Sequence, residues 1–495
     1  MSELPTGWEN TCLKEVCNVI RGITFPASAK EDKLLDSNVC CLRTTNIQRE
    51  IGWDNIYFIS REYVKRQEQF VQIGDILMSM ANSYELVGKV AIARQVPFPT
   101  AFGAFLAAIR PTPRIYGKFL FHLLRTNRVQ ELLRVGSSQT VNIANISAKT
   151  LSEIEIHLPP LAEQKRIADK IDTLQAAVDS CRARLDKVPS LINRFRQSVL
   201  AAATSGALTE DWRQENQLAA PIDFEDIARI RSEKKCTDGK NKKNVKAAIT
   251  PQEVESDHFL SLPTSWRRAT IDQITSSIKD GPHFSPAYVT DGIPFISGGN
   301  IRPEGIDFSN TKFISPELHF ELSKRCKPEL NDILYTKGGT TGIARVNTEQ
   351  REFNVWVHVA ILRLVSVEKI IPFFIQHALN SPSGYSQSQL YTRGVGNQDL
   401  GLTRMNKIII GIPPTAEQLE IVRRVDALFA IADKLEASLA TARKRVEQLT
   451  PAILAQAFRG ELVAQDPSDE PASALLARIT DATVPKPKRT IRKAA

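Results

Sequence analysis

The chain has no Cys-x-x-Cys pair. Its seven cysteines lie at 12, 17, 40, 41, 181, 236 and 326, an odd number at irregular spacing. That excludes a zinc ribbon, a redox dithiol and a disulfide scaffold, and predicts free thiols in a reducing compartment. Long apolar runs are missing too. The longest, Thr100 to Ile109 (TAFGAFLAAI), is about half of what a bilayer span needs. No basic start followed by an apolar run opens the chain, so neither a secretory signal nor a membrane is expected, and the expected location is cytoplasmic. Histidine is scarce, seven in 495 residues, and forms no H-x-x-x-H or H-E-x-x-H pair that could seat a metal.

Catalytic signatures are equally absent. An amino-methyltransferase needs a polar-Pro-Pro-aromatic motif for the target amine and a Gly-rich loop for the methyl donor. The only Pro-Pro pairs, in Leu158–Leu161 and Ile412–Thr415, lack the polar and aromatic groups. There is no G-x-x-x-x-G-K-[ST] phosphate loop; Lys337 to Gly342 (KGGTTG) is Gly-rich without the closing Lys and reads as a turn rather than a nucleotide cradle. His358, inside the run VWVHVAI, reads as a core histidine.

What is present is a modest positive excess, 64 Lys+Arg against 55 Asp+Glu for a net charge of +9. A polyanion partner suits it, because neutralising phosphates releases counterions. The strongest feature is an internal repeat. Residues 151–172 (LSEIEIHLPPLAEQKRIADKID) and 405–426 (MNKIIIGIPPTAEQLEIVRRVD) share nine of 22 positions at an offset of 254. The same offset aligns Gly206-x-Leu208 with Gly460-x-Leu462. Weaker echoes lie upstream: Leu4-Pro5-Thr6-Gly7-Trp8 with Leu262-Pro263-Thr264-Ser265-Trp266, Asp75-Ile76-Leu77 with Asp332-Ile333-Leu334, and Asn46-Ile47 with Asn300-Ile301.

The matched blocks carry a heptad stripe: Ile167, Ile171, Leu174, Val178, Cys181, Leu185, Val188, Ile192, Phe195, Val199 and Ala202, repeated from Ile421, Val425 and Leu428 through Leu439 to Ile453. From 162 to 203, 42 residues at 1.5 Å each span about 63 Å. Pro-Pro pairs mark the helix starts, Thr415-Ala-Glu-Gln418 fits a capping box, and Gly206 and Gly460 sit where a left-handed residue ends a helix. Pro189 and Pro451 fall inside the stripes and predict kinks. Two stripes of one repeat favour mutual, antiparallel pairing; a parallel pair and two separately packed helices stay open.

Pro159–Gln164 and Pro413–Gln418, with Arg194–Leu200 and Ile453–Leu462, resemble the hallmark of specificity subunits of type I restriction–modification enzymes, most like the K (type IA) branch. The resemblance covers the whole chain and implies an α+β fold. Two globular target-recognition domains (1–158 and 262–412) would be separated by a long antiparallel pair of conserved helices (159–212 and 413–465) with pseudo-two-fold symmetry. A basic linker would fill 213–261 and a mobile basic tail 466–495. It implies a non-catalytic subunit that binds a bipartite, asymmetric double-stranded DNA site, one part per domain. Two modification subunits would methylate adenine and two restriction/translocase subunits would complete the complex. S-adenosylmethionine, ATP and Mg would sit on those partners, with no cofactor in this chain. The helices would serve as spacer and dock, through Glu163, Gln164, Ile167, Ile171, Leu174, Leu185, Glu417, Gln418, Ile421, Val425, Leu428 and Leu439.

Base readout needs Arg or Lys for guanine edges and Asn or Gln for adenine edges, carried on polar loops. The candidates are Arg43, Thr44, Asn46, Ser83, Ser138, Gln139 and Asn142 in the first block. In the second they are Asn300, Arg302, Lys337, Thr340, Arg393, Asn397 and Gln398. Lys240, Lys242 and Lys243 read as a solvated run. Two rivals remain at this point: a coiled-coil scaffold that touches no bases, and a self-contained DNA methyltransferase with a degenerate motif.

Overall fold

The computed structural model describes residues 4–31, 33, 35–140, 143–216, 220–237, 262–396 and 398–483. They divide into two compact units. One joins Met1–Asp186 to Ala440–Ala495; the other is Lys187–Leu439. Each unit therefore holds one recognition block together with the start of one long helix and the end of the other.

In the first unit a four-stranded antiparallel sheet runs Cys17–Arg21, Leu106–Pro111, Ile76–Ser79, Val90–Ile92. The second unit repeats it as Thr275–Asp280, Val359–Leu364, Ile333–Thr336, Ala344–Val346. The central strands are near-continuous apolar runs (LAAI, VAIL) because both faces are covered. A parallel pair follows in each unit, Asn38–Leu42 with Thr100–Phe102 and Ile293–Ile296 with Asn354–Val355. A short antiparallel pair ties the start of each block to its end, Glu9–Cys12 with Glu155–Leu158 and Arg267–Thr270 with Ile409–Ile412. The two blocks are α+β and share the strand order of the central sheet, the parallel pair and the pair that ties start to end, although their sequences echo each other at only a few positions.

Those few positions hold the frame. Asp75 and Arg110 form a two-pronged ion pair, both contacts at 2.7 Å, with the carboxylate buried. Asp332 and Arg363 repeat it at 3.0 and 2.8 Å. Trp8 Nε1 donates to Glu163 at 3.0 Å, and Trp266 Nε1 donates to Glu417 at 3.0 Å. Gln164 accepts from the Tyr116 N–H at 3.1 Å and donates to the Pro159 carbonyl at 2.9 Å. Gln418 does the same with Ile371 at 2.8 Å and Pro413 at 2.9 Å. The repeated Pro-Pro-x-Ala-Glu-Gln is thus a clamp between helix start and recognition block. It also overturns the expected capping box: Gln418 is engaged elsewhere, and the Thr415 hydroxyl donates to the Lys369 carbonyl at 3.0 Å.

The conserved helices are Leu161–Leu185, Val188–Ser205 and Thr415–Ala457. The two prolines act differently. Pro451 lies within a continuous helix, whereas Pro189 opens a new one, so the first stripe is split rather than kinked. A proline at 189 cannot donate to the carbonyl four residues back. That carbonyl, Leu185 O, instead accepts from Arg443 at 3.4 Å, and the same guanidinium reaches Asp186 at 3.2 Å.

Within each unit the helix segments run antiparallel. In the first, Asp186 meets Arg443 and Gln175 meets Thr450. In the second, Arg196 meets Asp433 and Glu436, while Leu208 and Asp211 meet Arg424. The stripe is shared between two partners. Ile167, Ile171, Leu454 and Ala457 join the first block's core, and Val199, Leu200, Ile421 and Val425 join the second's. Each buried Ile contributes about 1.5–3 kcal/mol. Cys181, Phe195, Leu435 and Leu449, also on the stripe, are exposed.

Gly206 ends its helix at φ +86°, and Gly460, at φ +77°, closes the turn three residues beyond Ala457. An added Cβ would lie 2.5 Å from Pro263 Cγ and from Pro5 Cγ respectively. The end of each helix region therefore abuts the Leu-Pro-Thr-x-Trp start of the recognition block in its own unit.

Two spans read as linker and tail carry structure. Helix Phe224–Thr237 buries Ile227 in the second unit's core. Helix Ala472–Thr483 buries Ala472, Leu475 and Ile479 in the first's, helped by an Arg166–Asp469 ion pair at 2.5 Å. Lys240, Lys242, Lys243 and the last twelve residues lie outside the described residues.

Candidate nucleic-acid interface

The expected readers divide into those the fold consumes and those it presents. Asn46 is buried inside its own turn: its side chain accepts from the Arg43 N–H at 3.0 Å and donates to the Gly52 and Asp54 carbonyls, both at 3.0 Å. Asn300 repeats this with Ser297 at 2.9 Å, Asp307 at 2.9 Å and Asn310 at 3.3 Å. The echo at 46/300 is therefore a turn lock, and neither amide is free to meet adenine. Arg43 lies over the Tyr57 ring at 4.2 Å, donating to its hydroxyl at 2.6 Å and to Asn55 O at 2.8 Å. Lys337 is buried, with Asp399 at 3.2 Å, Asp280 at 3.4 Å and the Val357 carbonyl at 3.1 Å. All four side chains thus have partners within the fold. Polar residues at turns satisfy nearby backbone first, since an unpaired buried polar group costs about 1–3 kcal/mol.

Ser138, Arg302, Thr340, Arg393 and Gln398 are exposed, Arg302 in an ion pair with Asp307 at 2.7 Å; Thr44 and Ser83 are half-buried. Asn142 and Asn397 lie outside the described residues, as does the side chain of Gln139.

The fold brings several of these together. In the first unit Ser138–Thr140 pairs with Ile143–Asn145, which pairs with Ala81–Asn82, so the segments around Ser83 and Ser138 share one small sheet. Arg43 to Asn46 form a different turn. In the second unit Gly338 and Arg393 both bridge to Asp399, and the Gly339 N–H donates to Gln398 O at 3.2 Å. Lys337, Thr340, Arg393 and Gln398 thus surround one place.

Sequence reasoning missed Asp280, His283 and Arg325, which converge there. Arg325 lies 3.0 Å from Asp280, and His283 lies 3.2 Å from it. His358, expected in the core, is half-buried beside Trp356, with ring centroids 4.6 Å apart. The only early signal was a charged residue followed by glycine at the end of equivalent strands, Arg21-Gly22 and Asp280-Gly281.

The helix residues expected to dock partners are mostly interior. Glu163, Gln164, Ile167, Ile171, Glu417, Gln418, Ile421, Val425 and Leu439 are buried, and Leu174, Leu185 and Leu428 half-buried. Burial raises the Glu163 carboxyl against its Trp8 bond, and its second oxygen has no hydrogen-bond partner among the described residues. Glu417 has Thr209 at 2.7 Å and Arg213 at 2.6 Å on that oxygen. Two buried histidines occupy matching helices. His122 reaches Asp172 at 2.9 Å and holds that carboxyl below the usual carboxylate range, with burial opposing and Lys118 assisting. His377 stands 3.9 Å from Asp426, and burial brings it down to about 4. Burial pushes the Cys17 and Cys41 thiols up to about 12, which makes them unreactive. Among the described residues no group of His, Cys, Asp and Glu could hold a metal ion, and no helix is long and apolar enough to cross a membrane.

The sequence matches the family described as type I restriction modification DNA specificity domain over residues 5–190 and 271–441. The type I restriction enzyme StySPI specificity subunit of Salmonella potsdam is 32% identical over 516 residues, covering 100% of this chain and 99% of that relative. The EcoKI specificity subunit of Escherichia coli (strain K12) is 29% identical over 480 residues, covering 95% and 92%. The HsdS subunit from Thermoanaerobacter tengcongensis has a similar fold, with a TM-score of 0.55 at 18% identity over 93% of this chain and 98% of that one.

Proposed function

Because this chain belongs to the type I restriction–modification DNA specificity family, we propose that it is the non-catalytic specificity subunit of such a complex, each recognition unit reading one half of a bipartite, asymmetric DNA site. The observation that carries this reading is a frame whose central sheet and clamping contacts recur in both units beneath two different polar surfaces. A duplicated reader with unlike faces suits an asymmetric site. The paired helices set the unread gap and receive two modification subunits. Two restriction/translocase subunits complete the assembly in the cytoplasm. S-adenosylmethionine, ATP and Mg belong to those partners.

The test is base-resolution mapping of adenine methylation in cells carrying this chain with its modification subunit. The expected result is one split sequence with a fixed gap. Incorporation of labelled methyl groups by the purified chain alone would instead indicate a self-contained methyltransferase. Binding without sequence preference once salt suppresses the electrostatic component would indicate a scaffold.

A further inference from the structure

One cleft occurs at the same place in both units, with the same backbone hydrogen bonds and a different lining. In the second unit the Lys337 N–H donates to the His358 carbonyl at 2.8 Å, and the Lys337 carbonyl accepts from the Leu400 N–H at 2.7 Å. In the first, Met80 makes the same two bonds with Phe105 and Ile146, both at 2.8 Å. Arg21 pairs with Ala107 where Asp280 pairs with Ala360, two residues beyond Phe105 and His358 respectively. The next residue is glycine in each case, and neither position tolerates a side chain. A Cβ on Gly22 would lie 2.2 Å from the Gly103 carbonyl oxygen, and one on Gly281 would lie 1.9 Å from that of Val355. Backbone against backbone therefore sets the cleft, independently of what lines it.

The linings differ in chemistry. The second unit supplies Asp280, His283, Arg325, Lys337, His358 and Gln398. The first supplies Arg21, Thr24, Met80, Phe105 and Asn145 at the corresponding place. Structural side chains in this chain are retained between the units, as with Trp8/Trp266, Glu163/Glu417 and Asp75/Asp332. Here the matched side chains that face the cleft have changed: Arg21 to Asp280, Met80 to Lys337 and Phe105 to His358. A fixed cradle with exchanged contents is what a specificity pocket requires.

We propose that this cleft is the base-reading pocket of each unit, with Arg325 reading guanine in one half-site and Phe105 meeting a thymine methyl in the other. The inference rests on the DNA-specificity reading above. Arg325 is 60% exposed while its guanidinium is steadied by Asp280, itself 4% exposed. Guanine presents two acceptors to such a fork in the major groove. His283, 66% exposed, and Gln398 flank it with further hydrogen-bonding groups. Lys337, held between Asp280 and Asp399, is a positioning residue that fixes the Asp280 carboxylate in place. In the first unit Phe105 is 68% exposed, an apolar ring in water with no core to fill. Apolar contact with the thymine methyl is the readout open to it. Asn145, half-buried beside it, offers an amide suited to adenine.

The experiment uses the full chain assembled with its modification subunit, and compares the methylated motif of the wild type with those of Arg325→Ala, Arg325→Lys and Phe105→Ala. Both side chains are exposed, so folding should survive; thermal unfolding of each complex and methylation at the undisturbed half-site check this. Arg325→Ala is expected to relax one guanine position of one half-site by about ten- to a hundredfold in discrimination. Arg325→Lys should retain part of it, and Phe105→Ala should relax a thymine position of the other half-site only. Unchanged base requirements in both alanine variants, or equal loss across both half-sites, would overturn the assignment of the cleft while a split wild-type motif left the specificity role standing. A wild-type complex without sequence preference would remove both.

Discussion

His377 lies on helix Pro372–Asn380 with its ring against Phe429 at 6.0 Å, near Arg345 and 3.9 Å from Asp426. Burial lowers it from 6.5 to about 4. Between those values the unfolded chain binds the proton that the folded chain refuses, so stability is fully present above pH 6.5 and falls as the pH drops. By pH 5 the loss is about 2 kcal/mol. Urea unfolding at pH 7.5 and pH 5 should show His377→Gln losing less on acidification than wild type by roughly this amount. An equal acid loss in both proteins would free His377 of the effect. The residue scale is also where sequence reading was weakest. Asn46 and Asn300 carry the side chain that reads adenine, but the same amide closes a turn, and only the positions of Gly52, Asp54, Asp307 and Asn310 show which use prevails.

Among the elements, the helix ends were legible and the helix interior was not. Gly206 and Gly460 are both legible as left-handed positions because only glycine takes that backbone without cost, although Gly206 caps its helix and Gly460 lies three residues past Ala457. Each also faces a proline at 2.5 Å, so Gly206→Ala or Gly460→Ala meets both the left-handed penalty and a clash. Each should cost about 2 kcal/mol or more, read as a lowered thermal midpoint of the whole chain. A midpoint unchanged in either variant would show that the helix end shifts freely. Pro189 and Pro451 look alike in a heptad pattern, yet one starts a helix and the other lies inside one. Arg443, 254 residues from Pro189 along the chain, receives the carbonyl that Pro189 leaves unbonded, and no local pattern announces that. The stripe itself was read as a helix–helix seam. Four of its side chains, Ile167, Ile171, Ile421 and Val425, pack into the recognition blocks, because a helix start clamped by Glu163 or Glu417 must bury its first turns there.

For the whole molecule, the division into two units falls at 186/187 and 439/440, beside Leu185 and Leu439. Four residues make about one helical turn. Inserting four residues beside both leucines should lengthen the gap between methylated half-sites and leave both half-site sequences as they were. The same methylation mapping reads it, and an altered half-site sequence would refute the spacer role.

Read alone, the sequence carries the duplication, the family, the helix starts at the Pro-Pro pairs and the α+β class of the blocks, because repeats, periodicity and proline positions are properties of residues near one another or at one offset. Only the packing shows that Trp8 answers Glu163, that Lys337 is buried between Asp280 and Asp399, and that Arg325 and Phe105 each stand at the cleft of their own unit. Those outcomes depend on which distant backbone arrives within hydrogen-bond reach, and on which polar groups it leaves unpaired. Neither quantity is written in any local stretch of the chain.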